Sequence, residues 1–382
     1  MAKTGYLITI YQDINPSSPT YNQLKEEKVY DETACPVTPS TPGNYENQYL
    51  TIESLEDDNE IKIKPPVTDA FMGKYPFYYS TDDGATWMKF DELCNANYPT
   101  SITTINNGKK LLLRADRDRY GTESNKYIFY TSKTCNIYGN IMSMLESINF
   151  ATRLNTHYAG QFNGFFSGCK VVSAENLVLP SILAGYDFVS MFNGCTSLTT
   201  VPTLPATTLA SGCYASMFRD CTSLTRAPEL PATTLADVCY QNMFNGCTNL
   251  VNAPVLPVTT LANSCYSSMF RDCTSLTRAP ELPATTLATG CYQYMFGGCT
   301  NLKDAPELPA TKLADRCYGG MFYKCTKLRY IKCLATDISA TDCTYIWVYK
   351  VANTGTFVKN ASMTTWTTGD NGIPTGWTVI NE

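Results

Sequence analysis

Histidine is nearly absent from this chain: His157 is the only one in 382 residues. Nucleophile–base catalysis ordinarily couples Ser or Cys to a histidine. One base is therefore available, in Asn155-Thr156-His157-Tyr158, and it reads as a surface or capping residue. A run of positive charge is also missing. Lys plus Arg number 29 against 34 Asp plus Glu, a formal net charge of −5. Nucleic acid needs a basic footprint, so it is not an expected partner. No apolar run approaches the ~20 residues that span a bilayer, so membrane insertion is not expected. The opening MAKTGYLITIYQDINPSSP lacks the roughly 7–15-residue apolar core and small-residue cleavage site of a secretory leader. Export by that route is not expected either. No glycine-rich phosphate loop and no C-x-x-C pair appear, and no cofactor or metal is expected. Asp57-Asp58-Asn59-Glu60 lacks the alternation of a calcium loop and reads as a solvated turn.

What the chain has is a repeat. Met-Phe recurs at 191, 217, 243, 269, 295 and 321, each step being 26 residues (217 − 191 = 26). Phe165-Phe166 fits one step earlier and Trp347-Val348 one step later. Residues 216–236, SMFRDCTSLTRAPELPATTLA, recur letter for letter at 268–288. A period of ~20–50 residues marks a solenoid or array. In one unit Cys239, Tyr240, Met243, Phe244 and Cys247 stand at i, i+1, i+4, i+5 and i+8. This predicts one apolar helix face, with Asn245-Gly246 as the helix stop. Pro228, Pro254, Pro280 and Pro306 lack an N–H, so the extended segments are predicted to be short and poor in ladder bonds. No unit buries its own apolar face, and stacking builds the core. Tyr345, Trp347, Trp366 and Trp377 follow the last good unit and suit a C-terminal cap.

Most of the 17 cysteines follow the repeat. One ladder runs Cys169, Cys195, Cys221, Cys247, Cys273, Cys299, Cys325; the other runs Cys213, Cys239, Cys265, Cys291, Cys317, Cys343. On helices, cysteines within a unit stand ~12 Å apart and those of neighbouring units ~10 Å apart. Both exceed the ~7 Å Cα limit of a disulfide, so the cysteines read as small buried hydrophobes.

The string C-T-S-L-T-x-A-P-x-L-P-A-T-T-L-A-x-x-C-Y-x-x-M-F resembles the leucine-rich repeats of BspA-type surface proteins. The units here are longer and place Pro where that family has a strand residue. Ile137-Tyr-Gly-Asn-Ile-Met-Ser143 and Gly372-Ile-Pro-Thr-Gly-Trp-Thr378 look like the flanks of such proteins in gut anaerobes and their phages. The resemblance covers roughly residues 135–382 and implies adhesion or recognition without naming a ligand.

Ahead of the repeats, residues 1–45 are polar and carry Pro16, Pro19, Pro36, Pro39 and Pro42, with one strand predicted at 6–11. Strands are also predicted at 48–52, 60–64, 75–79 and 110–114, as in a small β-sandwich. Ser80-Thr-Asp82-Asp-Gly84-Ala-Thr-Trp87 matches the Asp-box pattern S-x-D-x-G-x-T-W, which resembles hairpin turns of sialidases and other β-proteins. One copy, with no arginine cluster beside it, predicts a structural hairpin: Asp82 bonding turn amides, Gly84 at positive φ, Trp87 packing beneath.

The expected fold is an α/β repeat solenoid, leucine-rich-repeat-like with short strands plus short helices, preceded by a β-rich, sandwich-like N-terminal region. The divisions are 1–45, an arm or small β anchoring module; 46–135, a sandwich-like domain; 136–168, a transition and N-terminal cap; 169–343, the repeats; and 344–382, a C-terminal cap. The candidate binding surface is the set of positions that vary from unit to unit: Arg226 and Glu229, Asn252 and Val255, Arg278 and Glu281, Asp304 and Glu307. A second variable row comprises Ala215-Ser216, Gln241-Asn242, Ser267-Ser268, Gln293-Tyr294 and Gly319-Gly320. Solenoids bind partners on such extended faces. The expectation is a non-enzymatic recognition protein with no catalytic residue. The first reading is a phage fibre or decoration protein, docked to other virion proteins through its N-terminal region. Its repeats would contact a bacterial surface glycan or protein, and it would function as a homo-oligomer. The alternative is a bacterial cell-surface adhesin that binds host protein or glycan.

Overall fold

A computed structural model describes residues 8–12, 24–28, 45, 48–64, 77–90, 98–115, 121–122, 125–147 and 149–382. The chain forms two units, 1–43 and 44–382. In the first, β1 (Ile8–Gln12) pairs antiparallel with β2 (Leu24–Lys28), with Ile8 opposite Lys28. The five prolines of the N-terminal arm, Cys35, Cys94 and positions 6–7 and 75–76 of two predicted strands lie outside the described residues.

The second unit opens with β3 (Leu50–Ser54), β4 (Asn59–Lys64), β5 (Phe77–Ser80), β6 (Met88–Phe90), β7 (Thr100–Ile105), β8 (Lys110–Ala115), β9 (Gly121–Thr122), β10 (Asn125–Lys126), β11 (Ile128–Thr131) and β12 (Cys135–Asn140). These include the strands expected from alternation. In β4, NEIKIK buries Asn59, Ile61 and Ile63 and turns Glu60, Lys62 and Lys64 outward, as the two-residue period of a strand requires. One sheet runs β11-β4-β7. A larger one runs β12-β3-β8-β5-β6 and continues through β13 (Val171–Ser173) and β14 (Leu177–Val178), both parallel to β12. Phe77 of the larger sheet meets Phe129 of the smaller at 6.4 Å between ring centroids, so the two share one core.

The Asp-box segment is the turn of the β5–β6 hairpin. Asp82 accepts from the Thr86 amide at 2.9 Å, and Ser80 Oγ accepts from the Gly84 amide at 2.9 Å. The Thr86 hydroxyl, its amide and the Ser80 hydroxyl hold the Asp82 carboxyl down to about 2. Trp87 packs edge-on against Tyr49 at 4.8 Å, beneath the Arg114 guanidinium at 4.1 Å. The motif is structural, as expected.

The array differs from the sequence reading in its helices. Among the described residues no segment is α-helical, and the segments expected as helices are trains of turns. In the unit of Cys239, the amides of Cys239, Gln241, Met243, Asn245 and Cys247 close turns on the carbonyl three residues back. The alternate amides of Tyr240, Asn242, Phe244 and Gly246 donate to Cys265, Ser267, Met269 and Arg271 of the next coil, at 2.8–3.0 Å. An α-helix would send every amide four residues back within its own coil. The reason for the difference is a left-handed residue at every fourth position: Val238, Asn242 and Gly246 have φ of 53°, 56° and 78°. The same trio recurs in all eight coils, from 160/164/168 to 342/346/350. A left-handed residue cannot continue a right-handed helix. It turns the chain so that side chains recur every four residues without the drift of about 40° that an α-helix accumulates over four residues. Gly246 is therefore one of a periodic set and not a helix stop.

A β-branched residue is strained at positive φ. Val238→Gly should raise stability by about 1 kcal/mol, read as an upward shift of the urea midpoint. In a helix interior the same change would instead cost about 0.5 kcal/mol.

The prolines act as expected. Where Pro228, Pro254 and Pro306 stand, only single parallel bridges form, such as Arg226 to Asn252 and Asp304 to Tyr330. One coil on, Lys332 replaces the proline (306 + 26 = 332), and a four-residue strand appears. This strand, β15 (Tyr330–Cys333), pairs in parallel with β16 (Thr356–Lys359), which pairs with β17 (Thr378–Asn381).

Stacking in register places like on like. Phe166, Phe192, Phe218, Phe244, Phe270, Phe296 and Phe322 form one buried column, with neighbouring rings stacked 5.7–6.0 Å apart. Tyr214, Tyr240, Tyr266, Tyr292 and Tyr318 form a second at 5.9–6.3 Å. Trp347 closes both columns, stacked on Tyr318 and tilted on Phe322, and its indole N–H donates to Gly372. Trp366 stacks on Trp347, and the Trp377 indole donates to Ala352. Tyr345 is exposed instead.

All fifteen described cysteines are free and buried, as expected of small hydrophobes. The spacing of the coils does not itself bar disulfides, however, as the expected helix spacing would. Neighbouring coils are hydrogen-bonded at one strand spacing, about 4.8 Å, which lies within a disulfide's Cα window. Each thiol of the first ladder is instead a hydrogen-bond donor. Cys221, Cys247 and Cys273 give their S–H to Phe192, Phe218 and Phe244 of the preceding coil, at 3.0–3.1 Å. Burial pushes the Cys247 and Cys239 thiols up to about 12, so the reactive thiolate is scarce at neutral pH. A thiol reagent should leave these fifteen unmodified in the native protein and reach them in denaturant. Fast native labelling of the ladder cysteines, read by peptide mass spectrometry, would contradict this packing.

Candidate functional site

The turn train, its two aromatic columns and its thiols face inward and barely change from coil to coil. The outward positions of the proline segment vary. Arg226, Glu229, Asn252, Val255, Arg278, Glu281, Asp304 and Glu307 are all exposed. The structure brings them together as two parallel rows. Arg226 pairs in register with Asn252, and Asp304 with Tyr330, so Arg226, Asn252, Arg278 and Asp304 occupy equivalent places on successive coils. Glu229, Val255, Glu281 and Glu307 form the second row, three residues further along each coil. At one coil spacing, about 4.8 Å, each row of four spans about 15 Å.

The rows are chemically mixed. Val255 is 76% exposed and, with half-exposed Val251, sets an apolar spot between Glu229 and Glu281. Glu281 and Glu307 overhang a shallow cleft of about 450 Å³, floored by Leu282, Pro283 and Pro309. Glu307 lies 3.5 Å from the Lys332 ammonium, which also bonds Glu382 at 2.9 Å. The hydrogen bond to Glu382 raises the lysine's proton affinity. This surface offers charge, hydrogen bonds and one apolar contact.

The second variable row is not a surface of the same kind. Ala215, Ser267, Ser268, Gly319 and Gly320 are buried, and Ser216, Gln241, Asn242, Gln293 and Tyr294 are half-buried. Its variation follows the backbone: residues 216, 242, 268, 294 and 320 are the left-handed position of each turn train. His157 is exposed, at φ 61°, beside the first coil. Asp57 and Asp58 form the β3–β4 turn, where Asp57 accepts from the Asn107 amide and Asn106 from the Asp58 amide, whereas Asn59, fully buried, and Glu60 open β4. His157, Asp57 and Asp58 fit the surface and turn roles expected of them, while the expected turn does not extend to Asn59 and Glu60.

Two features escaped the sequence reading. Asp187 is fully buried and accepts from Thr156 Oγ1 and from the Ala184 amide at 2.7 Å, and burial pushes its carboxyl up to about 7. It ties the first coil to the second. The other is the residue ahead of each final left-handed position: Arg219, Asn245, Arg271, Gly297, Tyr323 and Tyr349, of which Asn245 and Gly297 are buried and the rest reach the surface. The signal was present, because Tyr323 and Tyr349 depart from the polar or glycine residue of the earlier coils.

Residues 163–303 and 215–345 match the family model of the BspA type leucine rich repeat region, with six copies. No curated protein and no solved structure matches the chain significantly. Among the described residues, no helix is long and apolar enough to cross a membrane.

Proposed function

Because residues 163–345 are BspA-type leucine-rich repeats, we propose that the chain is a non-enzymatic recognition protein of a phage virion. It is a fibre or decoration component whose repeat surface contacts a bacterial surface glycan or protein. The observation that carries the recognition role is the division of labour within each coil. Inward positions recur almost unchanged, while eight exposed positions vary and line up in two rows. An extended face of this kind is what solenoids use to bind. Two observations favour the virion over a bacterial surface adhesin. Residues 216–236 and 268–288 are identical, which fits recent duplication within a binding region. The buried free thiols, thirteen of them in ladders one coil spacing apart, fit a chain folded and assembled in a reducing compartment. Other virion proteins are then the partners of the N-terminal region, and a homo-oligomer fits a fibre.

Peptide mass spectrometry of purified virions and of bacterial surface fractions tests this reading. Peptides in virions support it. Peptides confined to the cell surface overturn it in favour of the adhesin. A variant reversing the rows (Arg226→Glu, Glu229→Lys, Arg278→Glu, Glu281→Lys) should stay within about 0.5 kcal/mol per site of the parent's stability. It should lose binding to cells that the parent binds, as measured by sedimentation with those cells.

A further inference from the structure

Along the outer edge of the turn train the last coils differ from the earlier ones. At the final left-handed position the sequence runs Gly194, Asp220, Gly246, Asp272, Gly298, Lys324, Lys350, so acid gives way to base towards the C-terminal end. Beside it, Tyr323 and Tyr349 stack on each other at 5.2 Å between centroids. Tyr294 joins them edge-on at 6.1 Å from Tyr323. Its ring has room there because two neighbours are glycine. A Cβ on Gly320 would fall inside that ring, and Gly297 lies against its edge. All three tyrosines are half-exposed, although a solvated surface position is usually filled by a more polar residue. Cations flank the strip: Arg271 lies over Tyr294 at 5.3 Å, Lys324 over Tyr323 at 5.0 Å and Lys350 over Tyr349 at 5.3 Å. Arg271 also has Asp272 at 3.5 Å. Lys324 and Lys350 have no carboxylate partner among the described residues.

A row of rings rimmed by ammonium groups that no carboxylate neutralises matches one ligand chemistry. The partly exposed rings offer apolar contact to a pyranose at the parts that their stacked neighbours and cations leave uncovered, and the lysines offer charge to an anionic substituent on the same chain. The strip runs from coil to coil, so it suits a polymer better than a single sugar. We infer that Tyr294, Tyr323 and Tyr349, with Lys324 and Lys350, form a binding platform for an anionic polysaccharide whose sugars carry carboxylate or phosphate. This rests on the reading of the array as a recognition surface, and it names a ligand class on an edge separate from the Arg226 and Glu229 rows.

The full chain is tested by affinity electrophoresis through polygalacturonate, through its neutral methyl ester, through a sugar-substituted glycerol-phosphate polymer, and through polyglutamate as a polyanion without sugars. Retardation is expected with polygalacturonate, the phosphate polymer or both, and the responding polymer identifies carboxylate or phosphate as the anion. Little is expected with the methyl ester or polyglutamate. Lys324→Gly and Lys350→Gly remove charge where glycine is conformationally favoured, so folding is retained. Together they should weaken retardation about tenfold and flatten its salt dependence. Tyr323→Ala should weaken it by a similar factor, whereas Tyr323→Phe should not. Absence of retardation by both anionic sugars, equal retardation by polyglutamate, or indifference to the lysine pair would overturn the platform. Failure here with peptides present in virions sinks this inference alone. Retardation with peptides absent from virions leaves it standing and sinks the virion reading.

Discussion

Phe244→Ala is expected to cost about 3–5 kcal/mol, among the largest single losses available in the array. The ring is fully buried and stacked on both sides, at 5.8 Å from Phe218 and 5.8 Å from Phe270. Its removal leaves a cavity that cannot collapse, because the backbone around it is tied to both neighbouring coils. The Phe244 amide donates to Met269, and the Phe218 amide donates to Met243. The loss should also spread. Stability in such arrays is roughly a sum of unit and interface terms, and one change here weakens two interfaces. Phe244→Leu, which refills most of the volume, should recover more than half of the loss. Urea unfolding of the three proteins checks this. A cost under about 1 kcal/mol for the alanine variant would mean that the column is not packed as described.

Removing whole coils should be tolerated according to a two-coil rule. Deleting residues 217–268 takes out 52 residues (268 − 217 + 1 = 52) and joins Ser216 to Met269, restoring the same local sequence because 216–236 equals 268–288. The shortened chain should fold cooperatively. Deleting 243–268 alone removes one coil and should be worse by about 1–3 kcal/mol. The reason lies at the last left-handed position. A Cβ on Gly246 would meet the Asp220 carboxylate at 2.1 Å, and one on Gly298 would meet Asp272 the same way. Each Asp therefore folds over a glycine in the next coil, and the one-coil deletion sets Asp220 against Asp272. Deleting half a coil, residues 243–255, puts every inward residue out of register and should abolish folding. Circular dichroism and thermal unfolding distinguish these three outcomes. Equal stability of the one-coil and two-coil deletions would count against the Asp-over-Gly packing.

Much of this was legible from residue spacing. The coil period, the inward columns, the buried cysteines, the weak proline segments and the Asp-box hairpin all follow from which residue types recur and where. The helix did not survive, because spacing at i, i+1, i+4, i+5 and i+8 fits both a helix face and a strict four-residue turn period. The deciding signal was the residue type at 238, 242 and 246 and their equivalents. Nine of these 24 positions are glycine (eight coils, three each), and others are Asn, Asp or Ser. Val238, Tyr294 and Ile346 at the same positions blurred that signal. The distance argument about disulfides failed with the helix, since it used a helix diameter where a strand spacing applies. Of the candidate binding residues, exposure and alignment were readable from their variation. The tyrosine strip was harder to see, because Tyr294 reaches it only by leaning over Gly320, one coil away.

Far-UV circular dichroism of the purified chain tests the turn-built coil most directly, since every surface row depends on it. The coil described here predicts a spectrum without the double minimum of an α-helix. A clearly helical spectrum, with roughly a third of the residues in helix as in an average globular domain, would contradict it.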